Sequence, residues 1–254
     1  MPNMKDSNDR RSPVTDEPLR YPGQSLDEEL EIIRLKRYRN LSIFVILLAV
    51  AGYELLHAYF GVPPRPILAI LLVLASGIYF LFADAQLRKD ARNKEQGSLG
   101  EKAVAEILDN LKKEGSRVFH DVMIEPNYNI DHVILSRHGI FIVETKTISK
   151  PKKGQVNCNG EAVFLSGKNP DRTPIDQAVN NARSLSSYLN EKTGRRFRVK
   201  PVLVYPGWFV EDYANSRIWV LNPKILQHYI NREPETISEI DYDKAELHLS
   251  TVAR

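Results

Sequence analysis

The chain has 254 residues, enough for one globular domain of ordinary size plus a further segment, or for two small domains. Thirty-five Lys and Arg against 32 Asp and Glu leave a formal charge of +3, which excludes a strongly basic nucleic-acid coat protein and an acidic disordered tail protein alike. The single cysteine, Cys158, excludes an intrachain disulfide and a cysteine-built zinc site, so a metal would have to be held by carboxylate, carbonyl or imidazole groups.

Residues 1–24 carry Pro2, Pro13, Pro18 and Pro22 among polar residues, with too little apolar surface to offset chain entropy, and are expected to be a disordered tail. No secretory signal is expected, because the apolar stretch starts some way into the chain and no small-residue cleavage site follows it. Ser25 and Glu28 form a capping-box pattern ahead of Leu30, Ile32, Ile33 and Leu35, so a helix is expected to start there. Residues 41–60 are apolar except for Glu54 and His57, and a helix of that length reaches about 30 Å, the hydrocarbon thickness of a bilayer. Gly61, Pro63, Pro64 and Pro66 break it, and residues 67–83 form a second apolar run. The segment 25–94 therefore reads as a transmembrane hairpin with spans at about 41–60 and 67–83. A buried helix pair in a soluble core is the other reading, and uncharged runs this long on both sides of one short turn speak against it.

Arg34, Lys36, Arg37 and Arg39 precede the first span and Arg88, Lys89, Arg92 and Lys94 follow the second, while the connecting turn holds only Arg65. The positive-inside rule then places both ends of the chain in the cytoplasm of a two-span membrane protein. Glu54 and His57, three apart near the outer end of the first span, are read as a structural pair rather than a proton relay.

Residues 95–254 form the globular part. A helix is expected to open at Gly97 to Glu101, with Ala103, Val104, Ile107, Leu108 and Leu111 on one face, and to end at Gly115. Strands follow at 117–124, 130–135 and 140–147, with a weaker pair near 155–156 and 162–165. Thr173 and Pro174 start an amphipathic helix that Gly194 ends. Strands at 199–205 and 217–221 lead to Asn222 and Pro223, which begin a helix through Ile230. This order indicates an α/β fold, a mixed sheet flanked by helices.

The chemistry-bearing residues gather on one hairpin. Strand alternation puts Glu144 and Lys146 on one face, and a hairpin folded at residues 137–139 brings Asp131 opposite the region of Glu144, with a bulge at Gly139 able to shift the register by one. Two carboxylates and an ammonium on apolar strands lose hydration worth several kcal/mol each unless paired. A hard divalent cation, Mg²⁺ or Mn²⁺, would satisfy both carboxylates and activate a water for attack on phosphorus. A simple salt bridge from Lys146 to Glu144 or Asp131 accounts for the same residues, and spacing alone does not choose between the two.

Gly100 and Glu101, the run Ile130-Asp131-His132-Val133, the turn Ser136 to Gly139, the strand ending Val143-Glu144-Thr145-Lys146 and Gln177 together resemble the nuclease-related domain (NERD). That family is similar to the restriction-endonuclease-like PD-(D/E)-x-K superfamily, and the resemblance covers roughly residues 97–205. It implies Asp131 and Glu144 as metal ligands with the Thr145 carbonyl as a third, Lys146 as the catalytic lysine, Glu101 as an acid reaching the site from the first helix, and Gln177 as a helix residue beside it. Asn129 and Ile130 precede Asp131 where the motif's name places proline, a frequent departure in the superfamily. The implied function is a Mg²⁺-dependent nuclease acting on nucleic acid, with DNA as the expected substrate. A non-catalytic nucleic-acid or protein-binding module on the same fold is the alternative, and a homo-oligomer stays open.

His132 alternates to the face opposite Asp131 and His138 occupies a turn, so neither is expected in the site. Residues 95–232 hold 20 basic and 15 acidic residues, whereas 233–254 hold six acids against Lys244 and Arg254. The basic residues concentrate in Lys146, Lys150, Lys152 and Lys153, and again in Lys192, Arg195, Arg196, Arg198 and Lys200. The first group is placed to grip a phosphate backbone or to form a solvated turn. Trp208, Phe209 and Tyr213 are expected to cover a sheet edge rather than to stack on bases.

Overall fold

The computed structural model describes residues 21–60, 66–125, 128–149, 154–166, 168–215 and 217–253. Most of the expected tail, the turn at 61–65 and the lysines Lys150, Lys152 and Lys153 lie outside the described residues.

Two long antiparallel helices come first, α1 (Gln24–Tyr59) and α2 (Pro66–Leu108). The local capping box expected at Ser25 is not what starts α1. The Ser25 backbone N–H donates to Asp121 Oδ2 at 3.1 Å, and the Ser25 hydroxyl accepts from Asn129 at 2.8 Å, so the globular part caps the helix. Over the two apolar runs the side chains point outward: Ile43, Ile46, Leu55, Leu71, Leu81 and Phe82 are all exposed. A core helix of a soluble domain buries such a face; these helices bury almost none of it, and both are long and apolar enough to cross a membrane. His57 packs its ring on Tyr53, with 4.4 Å between centroids, and among the described residues it forms no ion pair with Glu54.

A separate helix opening at Gly97 does not form. Helix α2 runs without a break through Gly97 and Gly100, across the boundary expected near residue 95. Each helical glycine costs about 1 kcal/mol against alanine. Contacts on both sides offset it: Ser98 and Lys102 hold Asp27 of α1, Lys94 pairs with Glu29, and Val104 and Leu108 bury themselves on the sheet. A 3-10 turn, Asp109–Glu114, closes α2 at Gly115, whose φ of +82° suits a residue without Cβ.

The hairpin strands follow: β1 (Arg117–Glu125), β2 (Tyr128–Ser136) and β3 (Gly139–Thr145). Next come β4 (Gln155–Cys158), β5 (Val163–Leu165), α3 (Thr173–Thr193) and β6 (Val199–Val204). The chain ends with β7 (Phe209–Val210), β8 (Tyr213–Ala214), β9 (Trp219–Leu221), a 3-10 turn at Pro223–Ile225, α4 (Leu226–Ile230) and α5 (Glu239–Val252). The main sheet has the order β1-β2-β3-β6-β9-β8, antiparallel from β1 to β3 and parallel from β3 through β6 to β9. A small sheet, β5-β4-β7, flanks it. The fold is thus the expected mixed α/β arrangement. Ile140 and Ile142 pack on Leu185 and Leu189 of α3 and Leu249 of α5, while Phe141 and Val143 pack on Val104 and Leu108 of α2 and Leu226 of α4.

Helix α5 was not expected from the acidic C-terminal end. Its cap is Ser238, whose hydroxyl accepts from the Asp241 backbone N–H, and Ala245 and Leu249 anchor it in the core. The two-residue strands β7 and β8 were also unforeseen, being too short to carry a periodic pattern.

Candidate active site

The site forms at the C-terminal end of β3. The two-residue turn Arg137-His138 keeps the β2/β3 ladder in regular register from Ser136↔Gly139 to His132↔Val143, so Gly139 introduces no bulge. One step beyond, the Thr145 backbone N–H donates to Asp131 Oδ2 at 2.7 Å, which brings Asp131 beside Glu144. The Lys146 backbone N–H donates to the Val204 carbonyl and extends the pairing with β6, so the strand end that bears Glu144 and Lys146 is held on both sides.

Helix α3 supplies the amides. Gln177 Nε2 donates to Glu144 Oε2 at 3.3 Å while Gln177 Oε1 accepts from Lys146 Nζ at 2.8 Å, so one side chain orients both. Asn181, one turn later, donates to Glu144 Oε1. Lys146 Nζ lies 4.0 Å from Glu144 Oε2. Helix α2 supplies Glu101, which is buried and whose Oε2 has no hydrogen-bond partner among the described residues. Gly100 allows this approach: a Cβ there would lie 1.7 Å from Thr147 Oγ1, so any side chain would push α2 off the strand end.

Burial dominates the electrostatics. It pushes the Glu101 carboxyl up to about 9, assisted by the negative charges of Asp131, Asp121 and Glu144 and opposed by Lys146. Burial and then Asp131 push Glu144 up to about 8, against Lys146 and the Asn181 amide. Enclosure raises Asp131 to about 6, against the Thr145 N–H bond and Lys146, with Asp121 adding to the rise. The site therefore gathers three carboxyl groups against one lysine, and burial favours the protonated forms of Glu101 and Glu144 over unpaired charges.

Hard dications take oxygen ligands, often one or two carboxylates with carbonyls and retained waters. The donor set here, oxygen-only, buried and short of cationic partners, fits that chemistry. Among the described residues no group of three His, Cys, Asp or Glu side chains is arranged to hold a metal ion by itself.

All five side chains expected in the site, Glu101, Asp131, Glu144, Lys146 and Gln177, converge here with the Thr145 backbone. Two contributors had not been foreseen. Asn181 stands on the apolar stripe of α3 between Ala178, Ala182 and Leu185, and a buried amide four residues after Gln177 was a readable signal. Asp121 is fully buried with φ +51° and joins the field around Glu101 and Asp131; nothing in the local sequence marks it.

Other candidates lie elsewhere. His132 turns away and meets His120, Nδ1 to Nδ1 at 3.0 Å, while His138 Nδ1–H donates to the Glu233 carbonyl in its turn. Trp208 is buried and donates its indole N–H to the Ile148 carbonyl, so it covers the sheet as expected. Lys200 is buried over the Trp219 ring, and Arg198 and Lys200 flank Val199, which pairs with Ile140 at the end of β3 opposite to Glu144. The second basic group is thus not brought to the site.

Residues 96–206 match the family model of the nuclease-related domain. No curated protein and no solved structure matches the chain. The matched span opens on the stretch of α2 that carries Glu101 and closes just past β6, so it contains the whole cluster from Glu101 to Asn181. Over residues 96–206 the chain is similar to the nuclease-related domain family.

Proposed function

We propose that the protein is a membrane-anchored, metal-dependent nuclease that hydrolyses phosphodiester bonds of nucleic acid, DNA being the expected substrate, on the cytoplasmic side. The observation that carries this reading is the buried Glu101, Asp131, Glu144 and Lys146 cluster inside a nuclease-related span. Asp131, Glu144 and the Thr145 carbonyl would hold Mg²⁺ or Mn²⁺. When bound, such an ion lowers the pKa of a water and stabilises charge on the phosphoryl oxygens. Lys146, which donates to Gln177, would give a hydrogen bond to an attacking water or a non-bridging oxygen. Without an ion, Glu101 and Glu144 each hold a proton on a carboxyl oxygen at neutral pH, so loading the site would release protons. The exposed apolar faces of α1 and α2, with basic residues flanking both, support anchoring with both ends inside the cell.

The rival reading is a non-catalytic binding platform. It draws on the internal satisfaction of the cluster, since both Glu144 oxygens accept from amides and Lys146 Nζ is held by Gln177. The full chain in detergent micelles, given plasmid, linear DNA or RNA with Mg²⁺, Mn²⁺ or EDTA, separates the two. Metal-dependent cleavage lost in Asp131→Ala and Lys146→Ala is expected. Equal cleavage by wild type and both variants, or none with any metal, refutes the nuclease. A reporter fused after Arg254 that becomes active outside the cytoplasm refutes the orientation.

A further inference from the structure

A cavity of about 430 Å³ opens between α1 and α2 where the apolar runs meet the polar stem. Its upper wall carries Arg34, Arg37 and Arg88 around Asp84, and its floor is Leu41 and Phe80. Leu41 is the first residue of the apolar run on α1, and Asp84 directly follows the last residue of the run on α2, Ala83. From Arg34 to Leu41 the helix rises about 10 Å, so the cavity passes from charged to apolar over the depth of a headgroup region.

The wall is built rather than incidental. Asp84 is buried and accepts from Arg37 Nε at 2.7 Å and from Arg88 Nε at 2.5 Å, which fixes two guanidinium groups from opposite helices on one point. Phe80 is stacked on Phe44 at 5.4 Å, which steadies the floor. Arg34 stands above with no ion-pair partner among the described residues. Three arginines against one carboxylate leave two positive charges over an apolar base. Guanidinium groups are the side chains best matched to phosphate oxygens, and basic pockets between membrane helices on the cytoplasmic side suit anionic headgroups.

We infer that this cavity binds the phosphate headgroup of an anionic phospholipid, with Arg34, Arg37 and Arg88 on the phosphate and the first acyl carbons on Leu41 and Phe80. Two uncompensated charges favour a doubly charged lipid such as cardiolipin over phosphatidylglycerol, and both over zwitterionic phosphatidylcholine. Tyr38 completes the rim as an amphipathic residue at the interface. The inference rests on the membrane part of the proposed function and not on the nuclease part.

The test is native mass spectrometry of the full chain from detergent micelles supplied with cardiolipin, phosphatidylglycerol or phosphatidylcholine, with inorganic phosphate as a competitor. Retention of the anionic lipids alone is expected. Arg34→Gln, which spares the Asp84 pairs, should weaken binding about fivefold, as one lost interfacial arginine does. Lys89→Gln, an exposed basic residue next to Arg88 but outside the cavity, should leave it unchanged. Equal losses in the two variants, equal retention of phosphatidylcholine, or displacement of lipid by millimolar phosphate would each overturn the inference, the last by making free phosphate the ligand. Carbonate washing of cell membranes keeps the failures apart: a chain that washes off refutes the anchor itself, whereas an embedded chain without lipid preference refutes only this cavity's role.

Discussion

Glu101→Gln should stabilise the metal-free protein, and by an amount that grows with pH. Glu101 titrates near 4.5 in an unfolded chain and near 9 in the folded one, so between those values the unfolded chain has released a proton that the folded site retains. A raised folded-state pKa means that the stability is complete below about pH 4.5 and falls as pH rises toward about 9. Each pH unit in that window costs about 1.4 kcal/mol, so at pH 7.5 the penalty is on the order of 4 kcal/mol, a large share of the roughly 5–15 kcal/mol that holds a domain together. Glutamine keeps the shape and removes the titration. Urea unfolding in EDTA measures it, because the chain's two tryptophans, Trp208 and Trp219, are both buried in the globular part and report on it rather than on the hairpin. From pH 5.5 to pH 8 the advantage of Glu101→Gln over wild type should widen by about 3 kcal/mol. Mg²⁺ should narrow it at pH 8, where the ion competes for the carboxylates. An advantage that is the same at both pH values would refute the reasoning.

Asn181→Ala takes a donor from Glu144 Oε1 and should move the acid limb of a cleavage pH profile toward higher pH by about one to two units, the equivalent of one hydrogen bond to a charged group. Gly100→Ala should cost about 1–3 kcal/mol by driving a methyl group into Thr147, and Thr147→Gly in the same chain should restore much of it in the unfolding assay. The His120 and His132 rings are buried with depressed pKa values, His120 through burial and His132 through burial and then the neighbouring His120, so stability is complete above about pH 6.5 and is lost as pH falls below it. Melting curves at pH 5 and 7 should show that slope reduced in His120→Gln. Leu249→Ala should cost about 2–5 kcal/mol by emptying the contact of α5 with the main sheet, read by the same fluorescence.

What was legible in the sequence is what obeys a local period. The β2/β3 hairpin, the face shared by Glu144 and Lys146, and the amphipathic α3 with Gln177 all follow from alternation or a 3.6 repeat together with short-range turn residues. Other features are decided by contacts distant in sequence. Gly97 and Gly100 look like a helix start because glycine interrupts helices, yet each marks a close approach, to Leu26 and to Thr147, inside a helix that continues. Ser25 matches a capping box, but the stronger carboxylate of Asp121, 96 residues away, takes the N–H. Asp121 itself adopts φ +51° without being glycine, at a buried position that its local sequence does not mark. In α5 the acids hid a stripe of Ala245, Leu249 and Val252 at helical spacing.

The continuity of α2 gives the site its relation to the apolar hairpin. Glu101 lies 18 residues beyond Ala83, where the second apolar run ends, about 27 Å along one unbroken helix. Helix α1 returns along the same path, and its first turn meets the site's own surroundings through Ser25 with Asp121 and Asn129, and Asp27 with Ser98 and Lys102. The ion pairs along this stem, Asp27 with Lys102 and Glu29 with Lys94, are partly exposed and each contributes about 1 kcal/mol or less. They set the register of the two helices rather than their stiffness, which comes from the uninterrupted backbone hydrogen bonds of α2. A flexible linker would let the globular part tumble at the end of a tether. Here the residue that supplies the third carboxylate is part of the same helix as the apolar run, so the orientation of the hairpin dictates the direction in which the cluster opens.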